Sequence, residues 1–344
     1  MHRNRIQNAL AAFALASALL MQPALAQSVA DFYKGKTVTL LISSAAGGGY
    51  DALSRTIARY LPAHIPGNPA VVVKNMPGAG GIVATNHLFV TAEKDGTVIG
   101  GVQNNTPFEP LFGTQTARYD ATKFNWLGTP SIEVGILSVW NTVPINTLAD
   151  AQKNEVTVGA SGANSTPSFY ARILNETLGT KLKIINGYES QTHAFLAMER
   201  GEIDGYPSVF YSALMSTKPT WIKEKKIKLL VQFGLEKEPE LGNVPFALDL
   251  AKNAEDKQLM ELAFSALAAG RPYLLPPGVP ADRVAALRKA MIDTFRDPEF
   301  LAEAEKRGLG LNAVRTGEQL QDFINRMYQT PVHLVERVRK LSGN

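Results

Sequence analysis

From Lys36 onward, short β-rich runs alternate with amphipathic helical patterns, and this order leaves few folds open to the chain. Thr37-Val38-Thr39-Leu40-Leu41-Ile42 reads as a buried strand. Residues 51–61 follow with Leu53, Ile57 and Leu61 at four-residue spacing, one face of a helix stopping at Pro62. Val71-Val72-Val73 is a second strand, residues 82–89 a second helix and residues 97–102 a third strand. Strand-helix-strand order with short turns predicts a parallel sheet carrying helices on both faces.

The same grammar restarts at Val156-Thr157-Val158-Gly159. A helix over 167–178 buries Phe169, Ile173, Leu174 and Leu178, and strands follow at 182–185, 202–204 and 226–233. Helical patterns close the chain at 282–296, 299–307 and 316–341. The reading is an α/β protein of two lobes, each built on a parallel-type sheet flanked by helices. The first lobe is expected at 27–128 plus 234–344 and the second at 129–233. The chain then crosses near Thr129 and near Gly234, and two extended crossover strands at those points suit a hinge.

Residues 1–26 are set apart from the fold. Arg3 and Arg5 precede an apolar run from Ala9 to Met21, which closes on Ala24-Leu25-Ala26. That is a secretory signal with cleavage expected after Ala26, so the mature protein is expected in the periplasm. The apolar run is shorter than the about 20 residues of a membrane span. The chain has no cysteine, so there is no lipid-anchor site and no disulfide. Its formal charge is +4, two units of which are Arg3 and Arg5, which is too balanced to argue for a nucleic-acid partner.

Two glycine-rich turns carry the chemistry. Ser43-Ser44-Ala45-Ala46-Gly47-Gly48-Gly49-Tyr50-Asp51 and Gly159-Ala160-Ser161-Gly162-Ala163-Asn164-Ser165-Thr166-Pro167 each follow a buried strand and open a helix. In the second, Thr166 is the expected N-cap and Pro167 the first helical residue. A helix N-terminus presents unpaired N–H groups and partial positive charge, so a carboxylate is held there without an arginine. Glycine lets the ligand approach the backbone, and Ser161, Asn164, Ser165 and Thr166 add side-chain donors. Asp51 is a helix-capping residue, since an anion beside an anionic ligand is unfavourable. The turn Pro77-Gly78-Ala79-Gly80-Gly81 either packs two elements or lines the cleft.

In this order, Ser43 to Asp51, Asn75-Met76-Pro77-Gly78-Ala79-Gly80-Gly81, Asp95-Gly96-Thr97, Ser161-Gly162-Ala163-Asn164-Ser165, Gly201-Glu202-Ile203-Asp204 and Pro276-Pro277-Gly278-Val279-Pro280 resemble the tripartite tricarboxylate transporter receptors, the Bug family. The resemblance implies a periplasmic Venus-flytrap receptor that delivers a small organic carboxylate, a dicarboxylate or an aromatic one, to membrane permease subunits. It carries the ligand contacts to Ala46, Gly47, Gly48 and Asp51 on one lobe, and Ser161, Asn164, Ser165 and Thr166 on the other. The family's usual aromatic-proline opening is here Ser43-Ser44-Ala45-Ala46, and its tyrosine-lysine-glycine turn is Gly187-Tyr188-Glu189-Ser190-Gln191-Thr192. Tyr188, Ser190, Gln191 and Thr192 stay as contacts, with Tyr206 and Phe210 at the distal wall. A monomer suits a receptor that docks and releases. A receptor presenting its ligand to a sensor remains an alternative.

Enzymatic readings fit less well. Gly47-x-Gly49-x-x-Ala52 matches a relaxed dinucleotide fingerprint, but the next strand ends in Lys74-Asn75 without the acidic residue that binds ribose. Ser161 sits in Gly-Ala-Ser-Gly-Ala, outside the G-x-S-x-G elbow. His64, His87, His193 and His333 show no ligand spacing, so neither a zinc site nor a triad is expected. No enzyme activity and no cofactor is expected. The basic run of Lys223, Lys225, Lys226 and Lys228 reads as a solvated face.

Overall fold

A computed structural model of the protein describes residues 27–343. The expected secretory segment, residues 1–26, and its expected cleavage point lie outside the described residues. Eleven strands run through the described residues: β1 (Thr37–Ile42), β2 (Ala70–Asn75), β3 (Val98–Gly101), β4 (Asn125–Thr129), β5 (Gly135–Trp140), β6 (Val156–Ala160), β7 (Leu182–Asn186), β8 (Gly205–Phe210), β9 (Ile227–Phe233), β10 (Tyr273–Leu275) and β11 (Arg315–Thr316). They form two sheets, ordered β11-β4-β10-β3-β1-β2 and β7-β6-β8-β5-β9.

Parallel pairing holds for β2-β1-β3 and β7-β6-β8, the strands joined by helical crossovers. Both sheets are nevertheless mixed. β10 runs antiparallel between β3 and β4, β11 antiparallel beside β4, and β5 antiparallel between β8 and β9. These strands enter from the other sheet or from a loop, without the helical crossover that imposes a parallel partner. The short strand expected at 202–204 is a bend, and the strand begins at Gly205. Between Ile136 and Ser138 the register with β8 shifts opposite Pro207 and Ser208, where proline has no N–H to give the ladder.

The helix Gly49–His64 buries Leu53, Ile57 and Leu61, the stripe its spacing announces, against β1 and the helix Ala281–Arg296. Each such leucine or isoleucine contributes about 1.5–3 kcal/mol on burial. Pro62 lies inside the last turn of this helix, which runs two residues beyond the expected stop.

Core packing moves the lobe boundary. The core of the second sheet, around Leu137, Val158, Ile173 and Val231, also contains Phe246, Leu248, Met260, Phe264, Leu267, Leu334 and Val338. Residues 246–267 and the helix Val332–Ser342 therefore belong with the second sheet, although 234–344 was expected on the first. The helix Ser265–Ala269 touches both cores, with Leu267 in the second and Ala268 in the first. A further crossing precedes Val332. The crossing after β4 is clamped by Asn312, whose amide accepts from Ile132 N and donates to Ile132 O, both at 3.0 Å.

Candidate functional site

In each sheet the chain leaves one strand for a neighbour on one side, then returns to pair on the other. The switch falls between β1 and β3 in the first sheet and between β6 and β8 in the second. Ligands of open α/β sheets bind outside the carboxyl ends of strands at such points. Both glycine-rich turns stand there, directly after β1 and β6.

The first turn is held by Asp51. Its carboxylate accepts from Gly47 N, Arg55 Nε and Asn75 Nδ2, each at 2.9 Å, and Asn75 Nδ2 also lies 3.0 Å from Ser44 O. Burial alone would raise the Asp51 carboxyl, but the bonds from Arg55, Gly47 and Asn75 outweigh it and hold the group at about 2. Asp51 is thus a buried brace of the turn, and the N-cap position itself falls on Gly48. The N-cap is Gly48, which offers no side chain, so the helix N-terminus stays uncapped. Gly47 has φ +86°, a conformation that side chains disfavour. Ala46, Gly47 and Gly48 are exposed. The buried hydroxyls of Ser43 and Ser44 have no protein partner. The third turn packs on the first: a Cβ on Gly81 would come within 3.1 Å of Ser43 Oγ and 3.0 Å of Thr106 Cγ2.

The second turn is built from hydroxyls. Ser165, and not Thr166, is the N-cap of the helix Thr166–Leu178, with Pro167 in its first turn. Ser165 Oγ leaves the helix uncapped and donates to Gly162 O at 2.7 Å. Ser168 Oγ lies 2.7 Å from the same carbonyl and 3.1 Å from Asn186 Oδ1. Arg172 reaches from the helix to Ala163 O at 2.8 Å, and Asn164 lies against Gly343 at the end of the last helix. Ser161, Asn164 and Thr166 are exposed.

The remaining expected contacts divide. Tyr188 is half-buried over Gly159, its N–H donating to Ala160 O at 3.2 Å. Ser190 caps the helix Gln191–Glu199, while Gln191 is half-buried and Thr192 exposed. Tyr206 does not line the crevice. It is 6% exposed and packs edge-on to Phe195 in the core, because its side of β8 faces the helix Gln191–Glu199.

Between the two sheets lies a crevice of about 410 Å³, lined by Tyr50, Asn104, Glu133, Phe210, Ser212 and Arg271 among others. The second turn contributes no residue to this lining. Tyr50 extends from the uncapped helix N-terminus, its hydroxyl donating to Gly270 O at 3.3 Å and accepting from Asn104 N at 3.2 Å. Burial pushes its phenol up to about 12. The Arg271 guanidinium lies 5.9 Å from the Tyr50 ring centroid and donates through Nη1 to Leu309 O at 2.7 Å. Among the described residues no carboxylate comes within 4.0 Å of it. Glu133 is 8% exposed and accepts from Ser212 Oγ at 2.6 Å. Sequence reasoning missed Tyr50, Asn104, Glu133, Ser212 and Arg271. The one signal on hand was the adjacency of Tyr50 to the glycines.

Two open sheets, each with such a switch point and with a crevice between them, are the architecture of two-lobed solute-binding proteins, and the comparisons agree. The model of the tripartite tricarboxylate transporter family receptor matches residues 55–338, so the chain belongs to that family. A TctC solute-binding protein from Polaromonas superposes with a TM-score of 0.69 at 20% identity, covering 89% of this chain and 99% of that one. The periplasmic binding protein BugD gives 0.56 at 19% identity over 90% and 98%. MatC from Rhodopseudomonas palustris, with bound malate, gives 0.57 at 18% identity over 89% and 99%. A curated relative from Agrobacterium vitis, the UPF0065 protein in the TAR-I ttuE-ttuC' intergenic region, is 25% identical over 190 residues. That match spans about half the length of each chain.

Proposed function

We propose that this protein is an exported, monomeric receptor that captures a small organic carboxylate in the crevice and hands it to the permease subunits of a tripartite transporter. The observation that carries the reading is the meeting of an uncapped helix N-terminus, at Gly48, with the unpaired Arg271 guanidinium across Tyr50. Each hydrogen bond to a charged group is worth about 1.5–3 kcal/mol, so a few account for the about 8 kcal/mol of a micromolar complex. Malate in MatC, and adipate in another R. palustris protein of the same fold, support a carboxylate as ligand. The secretory pattern before Gln27 supports a periplasmic location, and among the described residues no helix is long and apolar enough to cross a membrane. The first glycine turn reaches this crevice through Gly49 and Tyr50; a contact from the second turn, through exposed Thr166, belongs to the same reading and needs the second turn to move toward the crevice.

The test is thermal unfolding of the purified exported protein with mono-, di- and tricarboxylates, each beside its amide. An acid at 100 times its dissociation constant stabilises by about 2.7 kcal/mol, a shift of several degrees, and its amide leaves the melting temperature unmoved. Equal shifts from acid and amide sink the carboxylate reading.

A further inference from the structure

A second space, of about 630 Å³, also lies between the two lobes, and no residue lines both it and the crevice. Leu248 and Glu261 of the second lobe form one wall, and Gln319 and Phe323 of the first form the other. The connecting segments run between the two spaces. Gly308 and Gly310 line the crevice, whereas Val314 and Arg315, a few residues on, line the second space. Glu133 lines the crevice, and Leu235 and Glu236, on the far side of Gly234, line the other. The second space is therefore the reverse face of the hinge.

On that face the lobes are tied together. Arg315 belongs to the first sheet, since β11 pairs with β4. Its guanidinium donates through Nη1 to Ala268 O at 2.9 Å, pairs with Glu236 and lies 5.6 Å from the Phe323 ring centroid. Glu236 belongs to the second lobe: it follows β9, and Glu238 N returns to Gln232 Oε1 at 2.9 Å. Among the described residues this is the one ion pair that joins the two lobes. The Arg315 side chain is 16% exposed, so water and salt screen the pair less than an ordinary surface pair. Beside it Leu235 and Met327 each pack against both cores.

A hinge motion that narrows the crevice widens the reverse face. Thr166 is exposed and lines no part of the crevice, so bringing both turns onto one ligand requires that motion. We propose that the Arg315–Glu236 pair, with the packing of Leu235 and Met327, is a latch that holds the lobes apart and so sets the affinity of the crevice. Ligand-driven closure has to open the latch, and apparent affinity falls with the fraction of molecules held open. Residues that never meet the ligand thus limit its binding, and weakening them tightens it. The inference deepens the receptor reading and rests on it for the affinity measurement alone.

The experiment measures lobe separation directly. The chain has no cysteine, so Val83→Cys and Leu196→Cys, exposed positions on opposite lobes, accept spin labels at those two places only. Pulsed dipolar spin resonance then gives the distribution of separations without ligand. Glu236→Lys, which sets two cations against each other, should enlarge the short-distance population by about 3-fold, and Glu236→Gln by less. Calorimetry with malate and with adipate should follow the same order, both variants binding more tightly than the parent while melting no higher. The distance measurement separates this from a long-range attraction of the anion, which would tighten binding without moving the lobes. Separations that stay unchanged in both variants overturn the latch, as does weaker binding by either. Failure of every acid to bind removes the receptor reading, and the distances then decide the latch alone. Met327→Ala loosens the apolar half of the latch and should shift the distribution the same way, so a Glu236 variant that fails to fold leaves the proposal open to refutation.

Discussion

The two strand-to-helix turns occupy equivalent places in their sheets and are stabilised by different means. The first is organised by one buried charge: Asp51 gathers a backbone N–H, a guanidinium and an amide. The second has no charge at its centre; Ser165 and Ser168 converge on the Gly162 carbonyl, and Arg172 braces it from outside. In both, the side chains fold the turn back on itself and leave the helix N-terminus open. The comparison teaches that a helix end can stay without a side-chain cap while its loop is tied down, by a buried charge in one turn and by hydroxyls in the other. It also separates the turns by exposure to pH, since one depends on an ionised acid and the other does not.

The largest effect should come from Asp51→Ala. It leaves Asn75 and Gly47 N without their acceptor, and a urea titration should show a loss of about 3 kcal/mol. An unchanged midpoint would break the claim that a charge organises the first turn. Next is the acid limb. The Asp51 carboxyl is depressed from 3.8 to about 2, so its contribution is complete above pH 3.8 and lost as pH falls through about 2. That difference corresponds to about 2 kcal/mol, and wild type should lose stability more steeply than Asp51→Asn between pH 4 and 2. Ser165→Ala should cost less, about 1 kcal/mol and independent of pH in that range, because Ser168 keeps its bond to Gly162 O. The smallest effect on stability belongs to Thr166→Ala, an exposed hydroxyl without a protein partner, at under about 0.5 kcal/mol. That substitution should instead weaken carboxylate binding by about 1 kcal/mol in calorimetry. Undiminished affinity would confine the ligand to the first sheet's side of the crevice.

What was legible in the sequence followed from local pattern. β1, β2, β6 and β7 announce themselves as β-branched runs, and Leu53, Ile57 and Leu61 as a helix stripe, because neighbours in sequence share their fate. β10 has three residues between Pro272 and Pro276 and exists through partners more than a hundred residues away in β3 and β4. Gly128 within β4 has φ +126°, a bend that no strand pattern predicts. The turns were found for the same local reason, since glycine, serine and asparagine between a strand and a helix carry their meaning in place. Arg271 and Glu133 were not, since a lone charge acquires significance only from what the fold sets opposite it. Tyr206 erred in the other direction: an aromatic near a cleft in sequence turned into the core.

The helix Val332–Ser342 adds Leu334 and Val338 to the core of the second sheet, packing against the helices Ala254–Ala263 and Thr166–Leu178. A chain that emerges from its amino end cannot finish that core until its final turns have appeared. The first core waits almost as long, since Phe295, Phe300 and Leu309 pack beside Leu40 and Ile57. Neither unit can therefore be completed early in synthesis, and truncation by a dozen residues at the carboxyl end should leave the distant second sheet unable to hold its shape.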